Sequence, residues 1–489
     1  MLEVTSFFRL NKEVNTFRIQ EAEMKASDLI KIITQERSSY LNFRFTDMYG
    51  KWYGVAYHTS AVDQKILEQG IMFDGSSIPS WRDINNSDML LKPDLTSYCF
   101  DPFGEEGSHV LICDVYDPST GKPYNRDPRS IAQKAEAYLE KTGLADTSYF
   151  GPEAEFFLFD EVRFGAEPNA LYYSVEDQEM PNKPGQNELG TTTGHSIDLK
   201  KGYTAMLPQD ATQHVREDMM KYLIEMGVEV EKHHHEVATC QSEIGIKYAT
   251  LTSMADKMQK YKYTVLNTAD MHGKSATFMP KPLMDDNGSG MHVHQSLWKN
   301  GTPLFPGNSY AGLSETALYY IGGILKHGRA LNAFTNPTTN SYKRLVAGFE
   351  APVYLAYSAC NRSVACRIPS VPDENARRLE TRFPDPTANA YLAFSAMLMA
   401  GLDGIKNKIH PGDALEENAY DLKEGSTVPR VAESLEAAVD ALSKDRAFLT
   451  EGGVFDDDML DAYIDYKKQE AESIRDTVHP IEYKYYYSS

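Results

Sequence analysis

Cysteine is scarce in this sequence. The chain has 489 residues and five cysteines, Cys99, Cys113, Cys240, Cys360 and Cys366. None forms a C-x-x-C pair, and the number is odd, so free thiols in a reducing, cytoplasmic setting are expected rather than disulfides. Long apolar runs are missing as well. Nothing approaches the roughly 18 residues of a membrane span. The opening stretch, MLEVTSFFRLNKEV, lacks a basic segment followed by an apolar one, so no secretory signal is expected. Positive charge is in deficit: 49 Lys and Arg stand against 70 Asp and Glu, a formal net charge of −21. A general nucleic-acid binder needs the opposite balance, and no nucleic-acid partner is expected. The usual glycine-rich phosphate loops are absent too. HGKS at 272–275 resembles the end of one, but the earlier glycine it requires falls at Thr268.

What is present reads as a globular chain of more than one domain, 42% hydrophobic and 11% aromatic. Residues 1–24 read as an extension. From 25 to about 120, one short helical stretch (Ser27 to Gln35) mixes with β-type runs such as YLNFRFTDMYGKWYGVAY and GSHVLICDVYD. DPSTGKPYNRDPR is a turn-rich boundary. A helix follows in SIAQKAEAYLEKTG, with Ser130 as the expected N-cap and Gly143 beyond its end. Residues 165–200 are polar and read as a long surface insertion. Helices are expected near 211–226, 253–271 and 386–405, and again in DMLDAYIDYKKQEAESIRDTV, where Met459, Ala462, Tyr463 and Tyr466 repeat at helical spacing. The aromatic end, IEYKYYYSS, is expected to dock on another surface.

Three strand-like stretches carry unusual polar faces. In GPEAEFFLFD, Glu153 and Glu155 share a face with Phe157 and Phe159. In GMHVHQSL, His292, His294 and Ser296 lie opposite Met291, Val293 and Leu297. In RLETRF, Arg378, Glu380 and Arg382 lie opposite Leu379, Thr381 and Phe383. Strands with one apolar face and one face of Glu, His or Arg suit a cavity wall, although alternation alone does not place them in the same cavity. A fourth stretch, EKHHHEVATCQSEIG, adds Glu236 and Glu243 without the H-E-x-x-H spacing of a zinc protease. Ligands dominated by glutamate favour Mg²⁺ or Mn²⁺ over zinc, and several carboxylates can hold two or more such ions. Arg344, Arg362, Arg367, Arg378 and Arg382 crowd into forty residues, a supply of phosphate-binding groups.

Together these stretches resemble glutamine synthetase of type I. The resemblance runs from about residue 25 to the C-terminus, through FDGSSI, GPEAEFFLFD, HHHEVAT, KPLMDDNGSGMHVHQS, NPTTNSYKRLVAGFEAP and RRLETRFPDPTANAYLAFSAMLMAGLDGI. It implies an α+β chain: a small β-grasp domain over 25–125, then a large α/β catalytic domain over 126–489 whose cavity is shared between subunits. It implies glutamine formation from glutamate, ammonium and ATP through γ-glutamyl phosphate, in a dodecamer of two hexameric rings. One metal would be held by Glu155, Glu236 and Glu243, the other by Glu153, His292 and Glu380. Glutamate would meet Asn287, Gly288, Arg344, Glu350, Arg362 and Arg382. ATP would meet Glu231, His294, Ser296, Arg362, Arg367 and Arg378. Asp74 would reach a neighbour's site, bind ammonium and take its proton, and Glu350 would sit on a flap over the site.

The sequence also departs from the type. Regulated members of one subtype carry N-L-Y-D-L-P, where a tyrosine is adenylylated. Here the stretch is NAYDLKEG, so Tyr420 remains while its surroundings differ. Cys360 stands where a basic residue is common, and Asn375 where a lysine often lies near the adenine. Two other readings share the family's scaffold: a ligase that joins glutamate to a polyamine or other amine, and a structural homologue without catalysis. Asp74 speaks against the first, and the complete set of six metal ligands against the second.

Overall fold

Alternating apolar positions build a first, smaller sheet. β1 (Tyr40–Thr46), β2 (Trp52–His58), β3 (Ile71–Asp74), β4 (Asp88–Asp101) and β5 (Ser108–Asp117) pair in the order β2-β1-β5-β4-β3, and β6 (Lys122–Pro123) adds to β5. The central pair, β1 and β5, is parallel, and the others are antiparallel. Leu41, Phe43 and Phe45 point from β1 into the core. The helix expected from Ser27 runs over Ala26–Gln35 and adds Leu29 and Ile33 to the same core. The computed structural model describes residues 24–35, 39–104, 108–180, 195–422 and 426–482. Most of the expected extension, residues 1–23, and the final 483–489 of IEYKYYYSS lie outside these.

A second sheet carries the chemistry. Its strands are β7 (Thr147–Phe159), β10 (Val230–His235), β11 (Gln241–Ile246), β12 (Ala249–Thr250), β13 (Ser275–Thr277), β14 (Met291–Lys299), β15 (Thr302–Pro303), β16 (Tyr354–Ala359), β17 (Val364–Ile368) and β18 (Leu379–Thr381); the hairpin of β8 (Glu161–Glu167) and β9 (Ala170–Glu176) stands apart from it. The order is β10-β11-β7-β14-β18-β17-β16. Alternation then decides what each face of β7 buries. Ala154, Phe156 and Leu158 join the main core, whereas Phe157 and Phe159 pack on Ala238 and Cys240 in a small separate cluster. The two phenylalanine faces anchor the strand and leave Glu153 and Glu155 at its polar end. Behind the sheet, the helix Ala390–Lys406 is apolar all round and packs on helices Glu315–Lys326, Pro128–Thr142 and Leu251–Met271.

One local expectation needs correction. The helix after the turn-rich boundary spans Pro128–Thr142, and its N-cap is Asp127 rather than Ser130. The Asp127 carboxylate accepts from the Arg129 and Ser130 amides and from the Ser130 hydroxyl, and proline occupies the first helical position, where its missing N–H costs nothing. The surface insertion expected at 165–200 begins with the β8–β9 hairpin, and its residues 181–194 lie outside those described.

Candidate active site

Strand register brings the polar side chains into one array. Glu243 on β11 lies opposite Glu155 on β7 and opposite His234 on β10. Two residues before Glu155, Glu153 lies opposite His292 on β14. Further along, His294 lies opposite Glu380 on β18, and Glu380 opposite Arg367 on β17. Directly opposed residues project from the same face of a sheet, so this is a continuous polar surface backed by the apolar core.

Two triads of ligand atoms emerge, each with its atoms within 4.8 Å of one another: Glu153, His292 and Glu380, and His234, Glu236 and Glu243. The first is the triad expected from the sequence. The second brings the expected Glu236 and Glu243 together with His234, whose Nδ1 is 3.3 Å from Glu236 and Nε2 3.6 Å from Glu243. Glu155 lies opposite Glu243 across the strand pair and is repelled by Glu236. Its carboxylate accepts from Gln241 Nε2 and from the Gly290 amide, both at 2.8 Å. Neither His234, Gln241 nor Gly290 is singled out by the sequence. A run of three histidines does not reveal which one faces the cavity until β10 is registered against β11. The adjacent His235 points the other way, into a fully buried pair with Glu179 at 3.0 Å.

The electrostatics show what this array lacks by itself. Burial, and then repulsion by Glu236, push Glu155 up to about 8. Burial and Glu243 do the same to Glu236, and burial with Glu153 and Glu155 to Glu243, each to about 8. Burial also opposes ionisation of Glu380, but His292, Arg382, His294 and Arg367 overcome it and hold the carboxyl at about 2. Burial and Arg382 lower His292 to about 4, which leaves a neutral imidazole able to act as a ligand. Glu243 Oε1 and His234 Nδ1 are buried with no hydrogen-bond partner. Crowded carboxylates and unpartnered lone pairs of this kind fit divalent cations.

Arginines edge the array. Arg382 Nη1 donates to Glu380 at 2.6 Å, and Arg367 holds the other Glu380 oxygen. Arg344 is buried and donates to the carbonyls of Phe383 at 2.9 Å, Pro384 at 3.2 Å and Arg382 at 3.2 Å. A side chain on Gly290 would run into the Arg344 guanidinium, and one on Gly288 into the Pro280 carbonyl, so the backbone approaches closely where this loop passes. Asn287 and Gly288 lie in the same buried loop. Beside Glu153 opens a cavity of about 480 Å³ that takes in Glu231, His294, Ser296, Arg378, Asn375 and Trp298. Arg378 Nε meets His294 Nδ1 at 3.1 Å. A second cavity, of about 540 Å³, is walled by Glu350, Cys360, Arg362, Glu416 and Tyr420.

A family model described as "Glutamine synthetase, catalytic domain" matches residues 125–486, and one described as "Glutamine synthetase, beta-Grasp domain" matches residues 37–118. The chain belongs to the glutamine synthetase family. The glutamine synthetase of Azospirillum brasilense is 55% identical over 466 residues, covering 95% of this chain and 99% of that one. A relative from Cupriavidus pinatubonensis named 3-hydroxylaminophenol mutase is 54% identical over 465 residues, covering 94% of this chain and 99% of that one. Among solved structures, the Plasmodium falciparum glutamine synthetase determined by cryo-electron microscopy superposes with a TM-score of 0.87 at 29% identity, covering 95% of this chain and 99% of that one. Membership of the glutamine synthetase family implies ATP and divalent metals at this site.

Within this glutamine synthetase chain, the remaining expected residues are dispersed. Asp74 ends β3 in the small sheet, exposed, and its carboxylate accepts from the Ser76 hydroxyl at 2.6 Å, the Ser76 amide at 2.9 Å and the Ser77 hydroxyl at 3.1 Å. Those bonds, the Ser76 hydroxyl foremost, lower its pKa. Glu350 is exposed with a left-handed φ of 56°, a conformation that non-glycine residues adopt at a cost. Arg362 lies in the Glu350 cavity rather than the one beside Glu153. The Tyr420 hydroxyl donates to the Ala351 carbonyl at 3.0 Å.

Proposed function

We propose that the chain makes glutamine from glutamate, ammonium and ATP by way of γ-glutamyl phosphate. The observation that carries this reading is the polar face of the second sheet, where two ligand triads lie side by side between a nucleotide-sized cavity and a cluster of arginines. Glu155, Glu236 and Glu243, with His234 beside them, would hold one divalent ion. Glu153, His292 and Glu380 would hold another. Bound Mg²⁺ or Mn²⁺ supplies the charge neutralisation that phosphoryl transfer needs.

The protein's own groups do the rest. Glu231, His294, Ser296 and Arg378 orient ATP in the cavity beside Glu153. Arg344 and Arg382, with Asn287 and Gly288, place the glutamate so that its γ-carboxylate meets the terminal phosphorus. Arg367 and Arg362 lie on the phosphate side. Asp74, held ionised by Ser76, serves a neighbouring subunit's site, where it attracts ammonium and removes its proton. Glu350 closes over the acyl phosphate and keeps water out. This reading takes 25–125 as the small domain and 126–489 as the catalytic domain. It also takes the assembly as a cytoplasmic dodecamer of two hexameric rings, with Tyr420 unmodified because NAYDLKEG departs from N-L-Y-D-L-P around it.

The decisive experiment supplies ATP and glutamate with ammonium, hydroxylamine, methylamine or a polyamine, and identifies the γ-glutamyl products by mass spectrometry. Glutamine formed with ADP and phosphate is the expected result. A strong preference for an organic amine would replace ammonium as the substrate, and no γ-glutamyl product at all would overturn the reading.

A further inference from the structure

The turn that carries Glu350 is gripped at its tip by two cations. The Nζ atoms of Lys200 and Lys281 sit 3.8 Å and 3.9 Å from the centroid of the Phe349 ring. Lys200 Nζ also donates to the Gly348 carbonyl at 3.2 Å. On either side of Phe349 the backbone turns through left-handed conformations, φ 88° at Gly348 and φ 56° at Glu350. Val346, Ala347, Gly348 and Glu350 are exposed, so Phe349 is the half-buried contact by which the turn is held.

The two lysines are themselves anchored together. Asp286 is fully buried. One of its oxygens accepts from the Lys200 and Asn287 amides at 2.9 Å each, and the other from the Thr239 amide at 3.0 Å. Lys281 Nζ donates to the Asp286 carbonyl. A single buried carboxylate therefore joins the Lys200 loop, the β10–β11 turn that follows Glu236, and the Asn287 loop. At the other end of the flap, Tyr420 holds the Ala351 carbonyl.

We propose that Lys200, Lys281 and Phe349 form a latch for the Glu350 flap, through which all three act as positioning residues for Glu350. An ammonium over an aromatic face gives an attraction that is strong when partly dry and weak enough to release. The latch ties flap position to the Asn287 loop, so that filling of the glutamate site and closure of the flap reach each other through Asp286. Its purpose follows from the proposed ligase reading, on which this inference rests. When the flap is loose, water attacks the γ-carbonyl carbon of the acyl phosphate, the bond from that carbon to the phosphate oxygen breaks, and glutamate and inorganic phosphate are released. ATP is consumed and no glutamine is made.

The test compares variants that keep size with variants that keep the interaction. Phe349→Leu retains an apolar side chain without a π face, and Phe349→Tyr retains the face. The double variant Lys200→Gln, Lys281→Gln removes both cations, and Lys200→Arg with Lys281→Arg retains them. Two quantities are read in the full-length enzyme: phosphate released per glutamine formed, and hydrogen–deuterium exchange of residues 346–352. The latch predicts a ratio near one for the wild type, Phe349→Tyr and the Arg variant, rising to about two or more in Phe349→Leu and the Gln variant, with faster exchange in those two only. Equal ratios and equal exchange across the set would overturn it, as would Leu and Tyr variants that behave alike. If the wild type makes no glutamine, the ligase reading fails, and the exchange pattern alone then decides the latch.

Discussion

At the scale of single residues, Glu380 shows how a proposed ligand can also be structural. Arg382 and Arg367 both bond to it in a buried setting. Glu380→Ala is therefore expected to end ATP turnover and also to cost about 3–5 kcal/mol of stability, because two guanidinium groups lose their counter-charge. Glu380→Gln keeps the shape and part of the hydrogen bonding, so it should abolish turnover with a smaller shift in urea midpoint; near-normal turnover at saturating metal would remove Glu380 from the site. The carboxylates at about 8 give a second expectation. Their folded values lie above the ordinary 4.5, so they stabilise the metal-free protein at low pH, and that contribution is lost as pH rises through about 8. The metal-free melting temperature should fall as pH rises from about 4.5 to about 8, and metal should restore it while releasing on the order of two to three protons per chain at pH 7. Calorimetry in buffers of different ionisation enthalpy measures that release, and none at pH 7 would contradict the assignment. Glu153, Glu155, His292 and Glu380 were legible in the sequence because a two-residue period fixes which side chains share a face. His234 and Asp286 were not. One needed the β10–β11 register to separate it from His233 and His235, and the other acts through backbone amides, which leave no trace in a side-chain pattern.

At the scale of elements, the helix Pro128–Thr142 was visible but its start was misplaced. Its apolar period begins at Ile131, which draws the eye to Ser130, whereas Asp-Pro is the better start because the carboxylate caps and the proline fits the first turn. Asp127 also accepts from the Val115 amide of β5, so it joins the small sheet to the first helix of the large domain. Asp127→Ala should cost about 2 kcal/mol and Ser130→Ala markedly less, read from urea midpoints at constant slope. Equal losses would return the cap to Ser130. The β8–β9 hairpin leaves no strand signal in the polar stretch 165–200 for a different reason. Phe164, Tyr172 and Tyr173 are all exposed on it, so no core face imposes an alternation on the surrounding polar residues.

At the scale of the whole molecule, the broad plan was legible because its segments follow one another in order along the chain, but the proposed assembly would rest on surfaces that a single chain leaves open. Asp74 is exposed and far in sequence from the triads, which suits service to a neighbour's site. Asp74→Asn should lower turnover with ammonium much more than with hydroxylamine, which is neutral at pH 7 and needs less help to lose a proton. Equal losses would count against Asp74 as the ammonium base. The helix Asp457–Arg475 buries Tyr463, Lys467 and Ala471, so removing residues 468–489 would injure the fold itself; ending the chain at Asp476 is the cleaner cut. That shorter chain should separate into single rings that keep part of their activity per subunit, and an intact dodecamer by light scattering would exclude a ring-joining role for the end. The strand order carries one last consequence. β7 sits between β11 and β14, and the Glu155–Gly290 bond alone closes a gap of 135 residues. Glu153, His292 and Glu380 cannot come together in advance of these long-range pairings, which form slowly, whereas His234, Glu236 and Glu243 share the local β10–β11 hairpin. During refolding, helical signal should return well before metal sensitivity. The proposed centre thus certifies its own topology: a chain that has threaded its strands wrongly is left with the hairpin triad alone and without Glu153, His292 and Glu380 beside it, and it is silent rather than wasteful of ATP.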